Sequence, residues 1–367
     1  MRSRKNTVIT FISSVVILAS CTSANINHSN ENFILEESLQ AKDVKQYFSY
    51  KDFSAKAIRE LDLYIKDSQL SSDELNNSKK LRSNIRKITS KEAFVIYTGK
   101  SNIYSFELIQ LIYGLDLPIQ IKWDQSKKKY ISQNLLSEAP LGFCSSLYED
   151  ALETIATEVN SSSDSTLIVY SEEFSDEKNF LTDQFPKINS ILFKEDDPQL
   201  FAAETLGINS SNKRFKKITS LNPNQKLEFS SRPRSDLQKI FLLLEPDQFQ
   251  SVLPAFKYHG GNKFKYINFI SSLETLNNIN QLLDLENSSI PLSGRLSQAI
   301  QSKEIISLES IMQTSMLHDW ILIEIMKQAG IRSADIDGMT GALEFQRNSC
   351  TKRKLPMQRI SSNWINS

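Results

Sequence analysis

The sequence predicts an α/β fold with a parallel sheet, and two observations support this. Short apolar segments alternate with segments of helical length from residue 91 onward, which is typical of parallel strands joined by right-handed helical crossovers. Residues 166–170 and 239–244 are apolar almost throughout, as expected of buried strands. The predicted strands are 93–97, 118–123, 166–170, 190–193, 239–244 and 265–270, and the predicted helices among them are 103–115, 147–159, 174–185 and 246–258.

A short helical segment, residues 41–90, precedes this domain. Apolar residues between Tyr47 and Tyr64 recur at roughly helical spacing, and Ser71 followed by Glu74 resembles a helix start. Two helices bury little apolar surface by themselves. We therefore expect an appendage or a docked helical hairpin.

The predicted elements at the C-terminal end are a long helix over 305–328 and a hairpin with strands 340–345 and 353–360. Met312, Met316 and Met326 lie along one face of the helix. A methionine stripe can form an adaptable binding groove, but core packing is the simpler interpretation.

The first twenty residues predict export. Three basic residues precede a short apolar run, 8–20, that ends in small residues, as in a secretory signal peptide. Cys21 follows Leu-Ala-Ser, the bacterial lipobox pattern, so we expect a signal peptide over 1–20, lipid on Cys21 and a flexible tether over 21–40. The alternative is an ordinary signal peptide with a chance cysteine. Because Thr22 is not the aspartate that retains lipoproteins at the inner membrane, we expect the outer membrane.

Composition excludes several classes of function. Hydrophobic residues make up 40% of the chain, enough for a sizeable core, and without residues 1–20 there remain 40 basic against 43 acidic residues. That balance argues against nucleic acid as a partner. No motif of a hydrolase, metalloprotease or phosphate-binding loop is present, and the three histidines are scattered, so we expect no enzyme activity, no cofactor and no metal. Cys144 and Cys350 form either a disulfide or two buried thiols.

Two charged stretches are candidates for a partner surface. Arg232, Arg234 and Asp236 precede the 239–244 strand and suit either an anionic partner or a structural ion pair. The stretch Lys352, Arg353 and Lys354 suits either a solvated strand edge or an acidic partner. A turn of Gly99, Lys100 and Ser101 follows the first strand, where binding proteins present polar groups to ligands.

The second half of the chain resembles the penicillin-binding-protein activator LpoA (LppC) family over about residues 198–364. The residues that carry the resemblance are the stretch 229–236, Pro246, Gln248, the stretch 253–259, the helix 315–323 with Asp319, the stretch 338–343, Cys350 and the stretch 353–355. The family's long helical-repeat domain is reduced here to about fifty residues, and the first lobe is short.

The resemblance implies a two-lobed type I periplasmic-binding-protein-like domain over 91–367, with an abbreviated first lobe (91–145 and 290–367) and a second lobe (146–289). It also implies a non-enzymatic outer-membrane lipoprotein that binds and stimulates a class A penicillin-binding protein, a peptidoglycan synthase. In this fold the terminal hairpin returns to the region between the lobes, so a Cys144–Cys350 disulfide is expected. The alternative function is a lipid-anchored solute receptor of an uptake system. Because the first lobe is short, we expect no tightly bound small molecule.

Overall fold

The computed structural model describes residues 55–66, 70–98, 105–114, 117–123, 136–160, 165–194, 197–221, 228–274, 276, 279–301 and 308–361. The strands are β1 (Phe94–Thr98), β2 (Ile119–Trp123), β3 (Thr166–Tyr170), β4 (Asn189–Leu192), β5 (Lys239–Leu243), β6 (Lys265–Asn268), β7 (Ser289–Pro291), β8 (Ser333–Asp337), β9 (Ala342–Gln346), β10 (Lys352–Lys354) and β11 (Met357–Arg359). The helices are α1 (Ala55–Ile65), α2 (Ser72–Thr89), α3 (Ser105–Gly114), α4 (Leu147–Asn160), α5 (Ser175–Gln184), α6 (Pro198–Thr205), α7 (Ile208–Leu221), α8 (Pro246–Gly260), α9 (Gly294–Gln301) and α10 (Leu308–Gln328).

The described strands form a mixed α/β structure with parallel sheets, as predicted. The largest sheet has the order β11-β7-β6-β5-β3-β4, and its neighbouring strands are parallel except for β11, which runs antiparallel to β7. Strands β1 and β2 form a separate parallel pair. Strands β8, β9 and β10 form an antiparallel sheet in the order β10-β9-β8.

The main core lies around the central strands of the six-stranded sheet. Strands β3 and β5 carry the continuous apolar runs seen in the sequence, and their side chains are buried along almost their whole length. Such burial on both faces is what a parallel sheet covered by helices requires. The predicted positions of β3 and β5 are confirmed to within one residue at each end.

The predicted terminal hairpin is only partly confirmed. Strands β9 and β10 pair as expected, but the predicted strand 353–360 is divided between two sheets. Pro356 stands between β10 and β11, and a proline cannot donate to a sheet ladder. The chain therefore turns away there, and β11 joins β7 in the six-stranded sheet. Residues 357–359, expected in the first lobe, thus extend the sheet that contains the strands of the expected second lobe.

Helix α2, in the helical segment before the sheet, begins where the sequence predicts. The Ser71 hydroxyl accepts a hydrogen bond from the Glu74 amide at 3.3 Å, and the Glu74 carboxylate accepts one from the Ser71 amide at 2.8 Å. This reciprocal pair is a capping box, which satisfies two amides at the helix start. Residues 41–54 of the predicted segment lie outside the described residues.

Helix α10 belongs to the core rather than to a binding groove. Met312, Met316 and Met326 are fully buried, so the core interpretation of the methionine stripe is correct and the groove alternative is wrong. At its C-terminal end, the Gln328 side chain pairs with β1: its amide oxygen accepts from the Val95 amide at 2.9 Å, and its amide nitrogen donates to the Val95 carbonyl at 2.8 Å. This contact joins the long helix to the two-stranded sheet.

Candidate functional site

The candidate residues that the structure describes lie in two places, at the terminal hairpin and in the loop before β5. Cys21 and the turn of Gly99, Lys100 and Ser101 lie outside the described residues.

A disulfide joins the terminal hairpin to the start of α4. Cys144 and Cys350 are bonded, with Cα atoms 4.8 Å apart, inside the usual range for such a bond. Beside it, the Cys144 amide donates to the Thr351 carbonyl at 2.9 Å, and the Thr351 amide donates to the Gly142 carbonyl at 2.7 Å. Covalent and hydrogen bonds therefore hold β10 next to the segment that leads into α4.

The three basic residues of β10 do not share one environment. Lys352 and Lys354 are exposed, whereas Arg353 is only 4% exposed. Side chains alternate between the two faces of a strand, and the middle residue of β10 faces inward. Arg353 is therefore not part of an exposed partner surface, and that part of the prediction is wrong. Lys354 forms an ion pair with Glu344 on the neighbouring strand.

Arg353 contacts a buried carboxylate on α4. Its Nη1 donates to Asp150 Oδ2 at 3.0 Å, and its guanidinium lies 4.8 Å from the ring centre of Phe143. Burial raises the pKa of Asp150, although the Arg353 charge and the Ser145 hydroxyl oppose that shift. Burial lowers the pKa of Arg353, and Asp150 and Asp319 oppose this. An arginine stays protonated even so, and the pair carries opposite charges inside the protein.

A second buried carboxylate, Asp319 of α10, holds the turn between β8 and β9. It accepts hydrogen bonds from the Met339 amide at 2.7 Å, the Thr340 amide at 2.8 Å and the Thr340 hydroxyl at 2.5 Å. Burial by itself would raise the pKa of Asp319, but the contacts with His318 and Thr340 outweigh it and lower the pKa. The turn is thus fixed by an ionised side chain from the long helix.

The glycines of this turn are required by close approach. A Cβ atom at Gly338 would lie 2.9 Å from Asp319 Oδ2, and one at Gly341 would lie 2.7 Å from the Lys354 carbonyl oxygen. Real Cβ atoms essentially never come within 3.0 Å of such neighbouring atoms. Asp319, Gly338, Thr340 and Gly341, which carry part of the family resemblance, therefore form one packed unit.

The loop before β5 contains a structural ion pair. Arg234 donates to Asp236 through Nε at 3.1 Å and Nη2 at 2.6 Å. Lys263 donates to the carbonyls of Pro233 at 2.9 Å and Arg234 at 2.6 Å. Arg234 is thus engaged within the chain, as the ion-pair alternative expects. Arg232 is exposed, and its amide donates to the Ser211 hydroxyl at 3.4 Å.

A groove runs between α4 and the terminal hairpin. It has a volume of about 840 Å³ and brings Lys352 and Lys354 of β10 opposite Glu153 and Thr157 of α4. The Thr154 hydroxyl donates to the Leu355 carbonyl at 3.1 Å and closes its floor. The groove offers alternating charge to a polar partner. The sequence did not point to Asp150 or to this wall of α4, because neither carries a motif.

Two further properties concern the described residues as a whole. Within them, no three His, Cys, Asp or Glu side chains come together in a way that could hold a metal ion. Over the same ranges, no helix combines the length and the apolar character that crossing a membrane requires.

The likeness of the chain to solved structures is weak. No family model matches the chain, and no curated protein matches it. Among solved structures, the chain is similar to an ABC transporter substrate-binding protein from Desulfitobacterium hafniense in complex with Leu, with 8% identity, 72% of this chain and 96% of that chain covered, and a TM-score of 0.35. A likeness at that level carries no argument about function.

Proposed function

We propose that the chain is a non-enzymatic lipoprotein of the outer membrane that binds and stimulates a class A peptidoglycan synthase, in the manner of the LpoA family. The fold that goes with this proposal is a two-lobed periplasmic-binding-protein-like domain. The β1–β2 pair would belong to an abbreviated first lobe, and the six-stranded sheet would form most of the second.

One observation supports the proposal most. Residues that carry the family resemblance contact one another in the structure, although they are spread over 35 positions from Asp319 to Arg353. Asp319 binds the Thr340 turn, Gly341 admits the β10 backbone, Cys350 is bonded next to β10, and Arg353 fills the space between β10 and α4. The contacts give these residues one shared structural role, and this supports the proposal.

The proposed action is by contact. The carboxylates of this region serve as hydrogen-bond acceptors or ion-pair partners: Asp319 binds the turn, Asp150 binds Arg353, and Glu344 binds Lys354. Groups so engaged hold the fold and do not form a paired acid and base facing a substrate. The exposed residues proposed to meet the synthase are Lys352 and Lys354 on the hairpin and Arg232 in the loop before β5.

Direct binding tests the proposal. The full chain in nonionic detergent is titrated with a purified class A synthase at low and at physiological salt, and the affinity is measured by biolayer interferometry. We expect specific binding that weakens as salt rises, because rim charges steer association. Absence of binding at low salt would refute the proposal.

The solute-receptor alternative predicts a different result in a second assay. A receptor must enclose its ligand between two walls. In the proposed fold the first wall would contain the two-stranded β1–β2 pair and would be small. We expect no amino acid or muropeptide to raise the melting temperature by several degrees. A shift of that size with a single compound would favour the receptor function instead.

A further inference from the structure

Helices α4 and α5 enclose a second groove, which we call the α4–α5 groove. Its volume is about 710 Å³, and its floor is formed by Leu152 and Ala156 of α4 together with Phe180 and Phe185 at α5. Leu152 and Ala156 are one helical turn apart and therefore share a face. Phe180 stays 41% exposed, so its ring is accessible from the groove. The floor thus offers apolar surface to an apolar side chain.

The rim of the α4–α5 groove is acidic. Glu149, Glu153, Asp176 and Glu177 line it, and none of its described lining residues is a lysine or an arginine. Glu149 has a local role, because its carboxylate accepts from the Ser146 amide at 2.7 Å in a capping pair. Glu153 also acts on the charge of Lys354 across the neighbouring groove, which leaves Asp176 and Glu177 as the carboxylates that line this groove and not that one. An apolar floor beneath a rim of one charge favours an occupant that is apolar on one side and positively charged at its edge.

Glu177 at this rim lies among other negative charges. Burial raises the pKa of Glu177, and the neighbouring charges of Asp176 and Glu173 add to the shift. By contrast, Glu158, farther along α4, forms ion pairs with Lys239 at 2.8 Å and Lys265 at 2.7 Å, and its pKa is lowered. The protein therefore neutralises Glu158 internally, whereas an external cation would relieve the repulsion at Glu177.

We propose that the α4–α5 groove binds a cationic amphipathic segment of a protein partner. An apolar side chain of the segment lies against Phe180 and Leu152, and its lysines or arginines face Asp176 and Glu177. The inference rests on the proposed function for the partner's identity, the synthase. Asp176 and Glu177 line this groove and not the one beside the hairpin, whereas Glu153 lies between the two grooves and lines both.

The test uses two synthetic helical peptides and four variants of the full chain in nonionic detergent. One peptide is built from Leu, Phe and Lys at amphipathic spacing, and the other has Glu in place of Lys. The groove variants are Asp176→Asn with Glu177→Gln, and Phe180→Ala. The matched controls are Asp247→Asn, an exposed acid in the first turn of α8, and Leu200→Ala, a leucine 47% exposed on α6.

We expect the cationic peptide to bind the unmodified chain and the anionic peptide to bind at least about tenfold more weakly. Both groove variants should lose about tenfold in affinity for the cationic peptide, and both controls should stay within about twofold. Melting temperatures show that the variants are folded. Equal loss in groove and control variants, or equal binding of both peptides, would overturn the inference.

Parallel titration with the synthase separates this inference from the proposed function. If the groove variants bind the synthase more weakly and the control variants do not, the result supports both the groove inference and the proposed function. If the synthase binds the groove variants and the unmodified chain equally, the groove inference fails and the proposed function stands. If the synthase binds neither the unmodified chain nor the groove variants, the proposed function fails. The peptide titrations then show whether the groove binds a cationic segment. Self-association that the groove variants abolish would assign the groove to a second copy and overturn the inference.

Discussion

A single buried arginine holds the terminal hairpin to helix α4. Arg353 faces Asp150 inside the protein, and the two residues are 203 positions apart in sequence. A charge removed from water is tolerated only while its partner is present, because an unpaired buried charge has no solvation to replace what it lost. At the residue scale, the pair is therefore more sensitive to loss of one member than any exposed ion pair of the hairpin.

We predict that Arg353→Ala destabilises the protein by about 3–5 kcal/mol, because it leaves Asp150 buried without its cation. The neighbouring Lys352→Ala should change stability by no more than about 0.5 kcal/mol, since Lys352 is exposed. Urea unfolding followed by circular dichroism measures both. Similar urea midpoints for the two variants would show that losing Arg353 costs no more stability than losing an exposed lysine.

A second residue makes stability depend on pH. Burial raises the pKa of Glu274 to about 7, and the nearby Glu309 charge adds to the shift. The folded pKa lies above the unfolded value of about 4.3, so the folded chain holds a proton that the unfolded chain has released. The stability from this group is complete below about pH 4 and is lost as pH rises through about 7.

Glu274→Gln keeps the neutral form at every pH and should remove this dependence. We expect the variant to gain stability relative to the unmodified chain between about pH 5 and about pH 8. Urea midpoints at the two pH values provide the measurement, and Glu309→Gln, which removes only the neighbouring charge, should give a smaller gain. Parallel pH profiles for the unmodified chain and Glu274→Gln would contradict the assignment.

At the element scale, the last strands of the chain connect distant parts of the fold. Strand β10 completes the antiparallel sheet, the disulfide at Cys350 ties it to the segment before α4, and β11 closes the edge of the six-stranded sheet. The terminal twenty described residues therefore stabilise elements from both expected lobes.

Replacing Cys144 and Cys350 together by serine should cost up to about 5 kcal/mol, because the bond closes a loop of 206 residues in the unfolded chain. Each single replacement should cost about as much as the double one, since either change removes the same bond. Urea unfolding without reductant measures this. Thiol titration of the unmodified chain, unfolded without reductant, provides a check. Free thiols at both Cys144 and Cys350 would contradict the presence of the disulfide.

The sequence predicted elements best where the chain is continuously apolar. Strands β3 and β5 stand out because burial on both faces excludes polar side chains, and α2 was marked by its capping residues. Strand β7 was missed because three residues, Ser289–Pro291, are too few to show a period. Helix α6 was also missed, although Asp197 caps it and Pro198 begins it, a pair that signals a helix start.

The candidate site was harder to predict than the fold. The inward side of β10 follows from the alternation of a strand, so Arg353 could have been separated from Lys352 and Lys354 by sequence alone. Its partner could not, because Asp150 lies 203 positions away and no local pattern links the two. Contacts that cross sheets depend on tertiary packing, which short-range patterns do not contain.

At the scale of the whole molecule, we propose a lipid at one end and a contact surface on the folded part. The predicted attachment point is Cys21, and the proposed contacts lie on the terminal hairpin, before β5 and in the α4–α5 groove. Several acyl chains bind a membrane far more firmly than one, since each buried methylene adds about 0.8 kcal/mol. Such a protein would act from a fixed membrane surface.

We predict that the mature chain isolated from cells begins at an acylated Cys21. Mass spectrometry of the N-terminal peptide tests this, with Cys21→Ser as the control that should accumulate unprocessed and unacylated. An unmodified mature peptide beginning at another residue would contradict the lipoprotein prediction.

The central claim is that the protein stimulates a peptidoglycan synthase by contact. The most direct measurement is the rate of glycan polymerisation and peptide crosslinking by a purified class A synthase, with and without the full chain, in the same detergent and at low salt. We expect a rate increase that saturates with added protein and falls as salt rises. A rate that does not change at any concentration of the protein would contradict it.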